Sequence, residues 1–145
     1  MPGIIATIVI GIIGGISVGL QGAIAGAMSQ RVGGTSGSFI IHLSGAFLSG
    51  ALLLARGGEQ IANWRTLPWY MLGAGAFGVI LYITLGQTLP RLGATGAISL
   101  IIIGQLTTAL LIDHFGLFGV PVRPVDGLRI FAVLLLFAGG YLILR

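Results

Sequence analysis

The chain consists of long apolar runs separated by short polar or glycine-rich connections, and five of these runs are long enough to cross a bilayer. A membrane-spanning helix needs about 20 mostly apolar residues to cross about 30 Å of hydrocarbon. The apolar positions are continuous rather than alternating, which favours helices over the strands of a membrane barrel. The predicted spans are residues 4–28, 35–55, 68–89, 92–112 and 124–144.

Composition supports an all-α integral membrane protein with a single transmembrane domain over residues 1–145. Hydrophobic residues make up 56% of the chain and charged residues only 7%, against about 25% charged residues in soluble domains. No basic residue precedes the first run, and that run is longer than the apolar region of a signal peptide, which is about 7–15 residues. We therefore expect the first run to remain as a span, with the lipid bilayer as the chain's main environment.

Several function classes are excluded at this point. The chain has no cysteine, so it has neither a disulfide framework nor a thiolate metal site. It also lacks a nucleophile elbow, a phosphate-binding loop and a zinc-protease motif, so we expect no enzyme activity, cofactor or metal. The net charge is +4, but the arginines are scattered singly without a basic stripe, which argues against a nucleic-acid partner.

The arginines are almost evenly divided between the two membrane sides. With five spans, the side of the N-terminus holds four arginines and the other side holds three. Orientation normally follows the Lys and Arg bias of the loops. Either the count is too small to orient the chain, or the chain inserts in both orientations and pairs with its inverted copy. The two sets are Arg56, Arg65, Arg123 and Arg129, against Arg31, Arg91 and Arg145.

Two connections repeat one another at an offset of 60 residues. Residues 26–35 read GAMSQRVGGT and residues 86–95 read GQTLPRLGAT. Both contain an arginine, an aliphatic residue and a glycine between two apolar runs, and Arg31 and Arg91 are expected at these turns. The repeat predicts a transporter-like architecture, with the second of these turns at Pro90-Arg91.

Glycines form a ridge along the first span. At about 100° per residue, the ridge covers an arc of about 80° on one face of the helix. Small residues let helices approach closely in membranes, so the ridge is expected to pack against a neighbouring helix. Its members are Gly11, Gly15, Gly19, Gly22 and Gly26.

Polar residues inside the spans are the candidates for a substrate pathway. His42 is the only titratable residue well inside an apolar run, on a stripe with Ser38. Tyr82 shares a stripe of the third span with Gly78 and Gly86. Such side chains either hydrogen-bond a neighbouring helix or line a polar cavity, since polar groups in lipid are costly. The four pathway candidates are Gln21, His42, Tyr82 and Gln105.

The remaining polar residues suit helix ends. Asp113 and His114 close the fourth span and are expected to stabilise the turn that follows, because two ligands do not make a metal site. Asp126 and Arg129 are spaced i, i+3 and are expected to pair at the start of the fifth span.

Three segments of the chain resemble a known family. They are GLQ at 19–21, the glycine-rich third span from Trp69 to the LPRLGA motif at 89–94, and GQL at 104–106 leading to IDHFG at 112–116. On these residues the whole chain resembles the five-helix YdcZ-like family of the drug/metabolite transporter superfamily. Small multidrug exporters of this superfamily use a glutamate in the first helix, where this chain has only Gln21. That difference argues against proton-coupled export of cationic drugs.

The resemblance implies a multi-pass protein of the bacterial inner membrane whose units pair as an antiparallel homodimer of ten helices. The expected function is transport of a small polar or amphipathic metabolite by alternating access, with a midplane site between inverted copies. Two alternatives remain at this stage. One is a passive channel for a small ion or neutral solute, and the other is a membrane scaffold subunit without transport activity.

Overall fold

The computed structural model describes residues 2–145, and within that range it contains helices and no strands. Only helices and closed barrels satisfy every backbone hydrogen bond within lipid. The helices are α1 (Pro2–Val32), α2 (Gly34–Ala55), α3 (Trp69–Leu72), α4 (Gly75–Phe115) and α5 (Gly127–Leu144). Short 3₁₀ helices at Ile61–Thr66 and Leu117–Gly119 lie in the loops.

The predicted count of five spans roughly fits these helices, because α4 is broken. Among the described residues four helical stretches are long and apolar enough to cross a membrane. The longest is interrupted at Gly93, whose φ of 69° and ψ of 172° are not helical. Its two arms, residues 75–92 and 94–115, correspond to the third and fourth predicted spans.

The turn predicted at Pro90-Arg91 is three residues too early. Pro90 lies inside the first arm of α4, and the chain breaks only at Gly93. A proline in a helix removes the hydrogen bond to the carbonyl four residues before it, here that of Gly86. The side chain of Gln30 supplies the missing donor, with Nε2 2.6 Å from the Gly86 carbonyl oxygen. The helix therefore continues through Pro90 because a residue of α1 satisfies the carbonyl that Pro90 leaves free.

Both predicted turns use glycine in the same backbone conformation. Gly33, between α1 and α2, has φ 87° and ψ 154°, close to the values at Gly93. This region of backbone space is open only to glycine. The sequence repeat at an offset of 60 residues is therefore also a repeat of local structure.

The described chain divides into two compact units, Met1–Pro90 and Arg91–Arg145. In the first unit α1 and α2 pack against each other and against the first arm of α4, with Ala25 and Leu85 fully buried. In the second unit α5 packs on the second arm of α4, where Gly140 lies directly against Ile103.

At the helix ends of the second unit, hydrogen bonds fix the loop between α4 and α5. The carbonyl oxygen of Asp113 accepts the Arg123 N–H at 2.8 Å, and His114 Nδ1 accepts the Val125 N–H at 3.1 Å. The expected ion pair of Asp126 with Arg129 is replaced by a helix cap, because the Asp126 carboxylate accepts the backbone N–H of Arg129 at 2.8 Å. Within residues 2–145 the one ion pair is Arg56 with Glu59, and it is exposed.

Candidate functional site

His42 is held in one orientation by its own helix. Its Nδ1 lies 2.7 Å from the carbonyl oxygen of Ser38 and 3.3 Å from the Ser38 hydroxyl. Because a carbonyl oxygen can only accept, Nδ1 carries a proton and donates it. In the neutral imidazole, Nε2 is therefore the atom with a free lone pair.

The first arm of α4 presents glycine and tyrosine to this imidazole. A β-carbon built on Gly78 would lie 2.6 Å from His42 Nε2, so only glycine admits the ring at its observed position. One turn later, the ring of Tyr82 meets that of His42 edge to face, with centroids 5.4 Å apart. Tyr82 is 7% exposed. Two of the four pathway candidates, His42 and Tyr82, are therefore in contact.

The other two pathway candidates lie outside this cluster. Gln21 and Gln105 are both exposed, and Gln105 belongs to the second unit. Among residues 2–145 neither amide side chain has a hydrogen-bond partner. Both amides are attached to helices that are apolar enough to span a membrane.

Only part of the glycine ridge of α1 packs closely against another helix of the chain. A β-carbon built on Gly22 would meet Leu85 Cδ1 at 3.6 Å, and one on Gly26 would meet Leu89 Cδ1 at 2.5 Å. Built β-carbons on Gly11, Gly15 and Gly19 meet nothing within 4 Å. Close packing within the chain therefore involves the C-terminal half of the ridge, and the N-terminal half is open.

 A small polar cavity lies where α1 turns into α2. Its volume is about 180 Å³. The residues that line the cavity are Ser29, Gly34, Thr35, Ile83, Gly86 and Gln87.

Ser29 is the buried polar group of this cavity. It is 7% exposed, and its hydroxyl has no hydrogen-bond partner. Glycines make room for it on two sides, because β-carbons built on Gly37 and on Gly86 would each lie 3.2 Å from Ser29 Oγ. Ser29 was not predicted from the sequence, although its helical phase places it on the same face of α1 as Gly22 and Gly26.

The charged residues expected at the turns are not part of the His42–Tyr82 contact and do not line the Ser29 cavity. Arg31, in the last turn of α1, and Arg91 are exposed. In the second unit, Asp113 and Arg129 line one groove of about 350 Å³ whose other lining residues are apolar. No group of three or more potential metal ligands is found among the described residues.

Comparison with known families gives one match. The family model described as "Putative inner membrane exporter, YdcZ" matches residues 6–142 of the chain. Comparisons with curated proteins and with solved structures gave no significant match. The match and the apolar helices together indicate a multi-pass transport protein of the inner membrane. The chain belongs to the YdcZ family of the drug/metabolite transporters.

Proposed function

We propose that the chain moves a small polar or amphipathic metabolite by alternating access, as an antiparallel homodimer with a substrate site near the midplane. Transporters commonly place their site at this depth, between repeats of inverted topology. One chain supplies five helical segments of spanning length once α4 is divided at Gly93. An inverted second copy would complete a ten-helix transporter.

The exposed amides of Gln21 and Gln105 are the observation that carries this proposal. Uncovered polar groups are costly in lipid and usually face a protein interior or a wet cavity. At about 1.5 Å per residue, Gln21 is about 16 Å from the end of α1 and Gln105 about 15 Å from the end of α4. Both amides are therefore near the middle of a bilayer, where a second copy can cover them.

The His42–Tyr82 cluster lies at a similar depth in the bilayer. His42 is about 12 Å from the start of α2. In an inverted second copy, Gln105 would lie about 15 Å from the face at which α1 ends, a depth similar to those of Gln21 and His42. Amides and an imidazole suit a neutral or zwitterionic solute better than a bare cation. The pathway we propose is formed by Gln21, His42, Tyr82 and Gln105.

The even distribution of arginines supports insertion in both orientations. A reporter fused to the C-terminus should give signal from both sides of the membrane. Two or three lysines added to the loops of one side should impose a single orientation. A single orientation of the unmodified chain would contradict pairing with an inverted copy.

Transport by reconstituted protein tests the function itself. Proteoliposomes are assayed with a panel of labelled neutral, zwitterionic and cationic metabolites. We expect uptake of a neutral or zwitterionic member, and loss of that uptake in the Gln21→Leu, Gln105→Leu double variant. The control is Gln60→Leu, which makes the same substitution at an exposed loop position. Full transport by the double variant would refute the proposed pathway.

A further inference from the structure

The cavity between Ser29 and Gln87 adjoins the N-terminus of α2, which has no cap from a side chain. Gly33 precedes the helix, makes no side-chain cap, and no acidic residue lies in the first turn. The first amide groups of a helix have no acceptor within the helix. Gly34 and Thr35 are two of the residues that line the cavity, and their N–H groups are therefore free donors at the positive end of the helix dipole.

Unlike the N-terminal end of α2, the C-terminal end of α1 at this turn has groups that offset its helix dipole. Its last turn carries Arg31, which suits the negative end of a helix dipole. The Ser29 carbonyl oxygen also accepts the Gly33 N–H at 2.9 Å. The helix-dipole charge that has no counter-charge at this turn is therefore the partial positive charge at the N-terminus of α2.

The buried hydroxyl of Ser29 independently indicates a ligand. It is more than nine-tenths buried, has no partner and lines the same cavity as Gly34 and Thr35. Buried polar groups are almost always hydrogen-bonded, to protein or to an ordered molecule such as water. The second turn does not repeat this feature, because Leu89 occupies the position that corresponds to Ser29.

We infer that this cavity binds the carboxylate of a small organic solute. Helix N-termini bind anionic groups through their free N–H groups, and Ser29 and Gln87 add side-chain donors. No charged side chain lines the cavity, so no acid competes for these donors. The volume of about 180 Å³ admits a carboxylate on a short carbon chain. The inference rests on the proposed function only in identifying that solute as a transported one.

Thermal unfolding of the purified full-length protein in detergent tests the site with acetate as the probe. Acetate is compared with acetamide, which has a similar shape but no charge, and with chloride at equal ionic strength. We expect acetate alone to raise the melting temperature in a saturable manner. Ser29→Ala should weaken the apparent affinity about tenfold, as expected for loss of a hydrogen bond to a charged group. The control Ser44→Ala removes an exposed hydroxyl that bonds the Ile41 carbonyl and should leave the affinity unchanged.

Two results would overturn the site. One is an equal effect of acetate and either acetamide or chloride, and the other is unchanged acetate affinity in Ser29→Ala. Binding in detergent does not require transport, so the two proposals fail separately. Acetate binding without transport would refute the transport function, whereas transport without acetate binding would refute this site.

Discussion

The contact between Gln30 and the carbonyl of Gly86 gives a quantitative test of how α4 continues through Pro90. Gln30→Leu removes the donor that lies 2.6 Å from this carbonyl oxygen. Leaving a buried acceptor without a partner costs about 1–3 kcal/mol. Since Gly86 is half-buried and Gln30 is exposed, we expect the lower part of that range, about 1–2 kcal/mol of unfolding free energy.

Pro90→Ala should remove most of this cost. Alanine at position 90 has an N–H that can donate to the Gly86 carbonyl within the helix. In that background, Gln30→Leu should cost less than about 0.5 kcal/mol. The two substitutions should therefore be coupled by about 1 kcal/mol.

The measurement is a double-mutant cycle of unfolding free energies in mixed micelles. Protein and detergent concentrations are held constant, because self-association would otherwise change the apparent stability. Gln60→Leu serves as the control for replacing an exposed glutamine. An equal cost of Gln30→Leu with proline and with alanine at position 90 would refute the reasoning.

Four further substitutions test other parts of the structure. Gly78→Ala should destabilise the protein by about 1–3 kcal/mol through overpacking against His42, and the loss measured by thermal unfolding should largely disappear in a His42→Ala background. Gly33→Ala and Gly93→Ala should each cost about 1–3 kcal/mol because their backbone conformation excludes a side chain; wild-type melting temperatures in both would contradict this. Ser29→Ala should raise the stability of the ligand-free protein by up to about 1–3 kcal/mol, because it removes an unsatisfied buried hydroxyl, and reduced stability would show that the hydroxyl has a structural partner.

The spans could be predicted from the sequence because the bilayer restricts the structures that are possible. A long apolar run in lipid must form a helix, and the repeated arginine-aliphatic-glycine pattern indicated the turns at Gly33 and Gly93. The exact position of the second turn could not be predicted. Proline usually ends a helix. The donor that satisfies the carbonyl left free by Pro90 is Gln30, which is far from Pro90 in the sequence.

Two residues of the candidate site, His42 and Tyr82, could be singled out from the sequence, but their contact could not be predicted. His42 stands out as a titratable group in an apolar run, and Tyr82 lies on a stripe with Gly78. Their meeting depends on the register between α2 and α4, which a single sequence does not specify. Ser29 was missed because a serine near a helix end is typical of a turn. Its burial depends on the glycines at positions 37 and 86.

The contact proposed between Gln21 and the Gln105 of a second, inverted copy is tested most directly by cross-linking between two copies. The chain has no cysteine, so introduced cysteines are the only thiols present. Gln21→Cys and Gln105→Cys chains are expressed together and oxidised in the membrane, with a Leu20→Cys and Gln105→Cys pair as the control on a neighbouring face of α1. The account predicts a disulfide-linked dimer for the Gln21 and Gln105 positions and much less for the control. Absence of that dimer, or equal cross-linking of the control, would contradict the inverted arrangement.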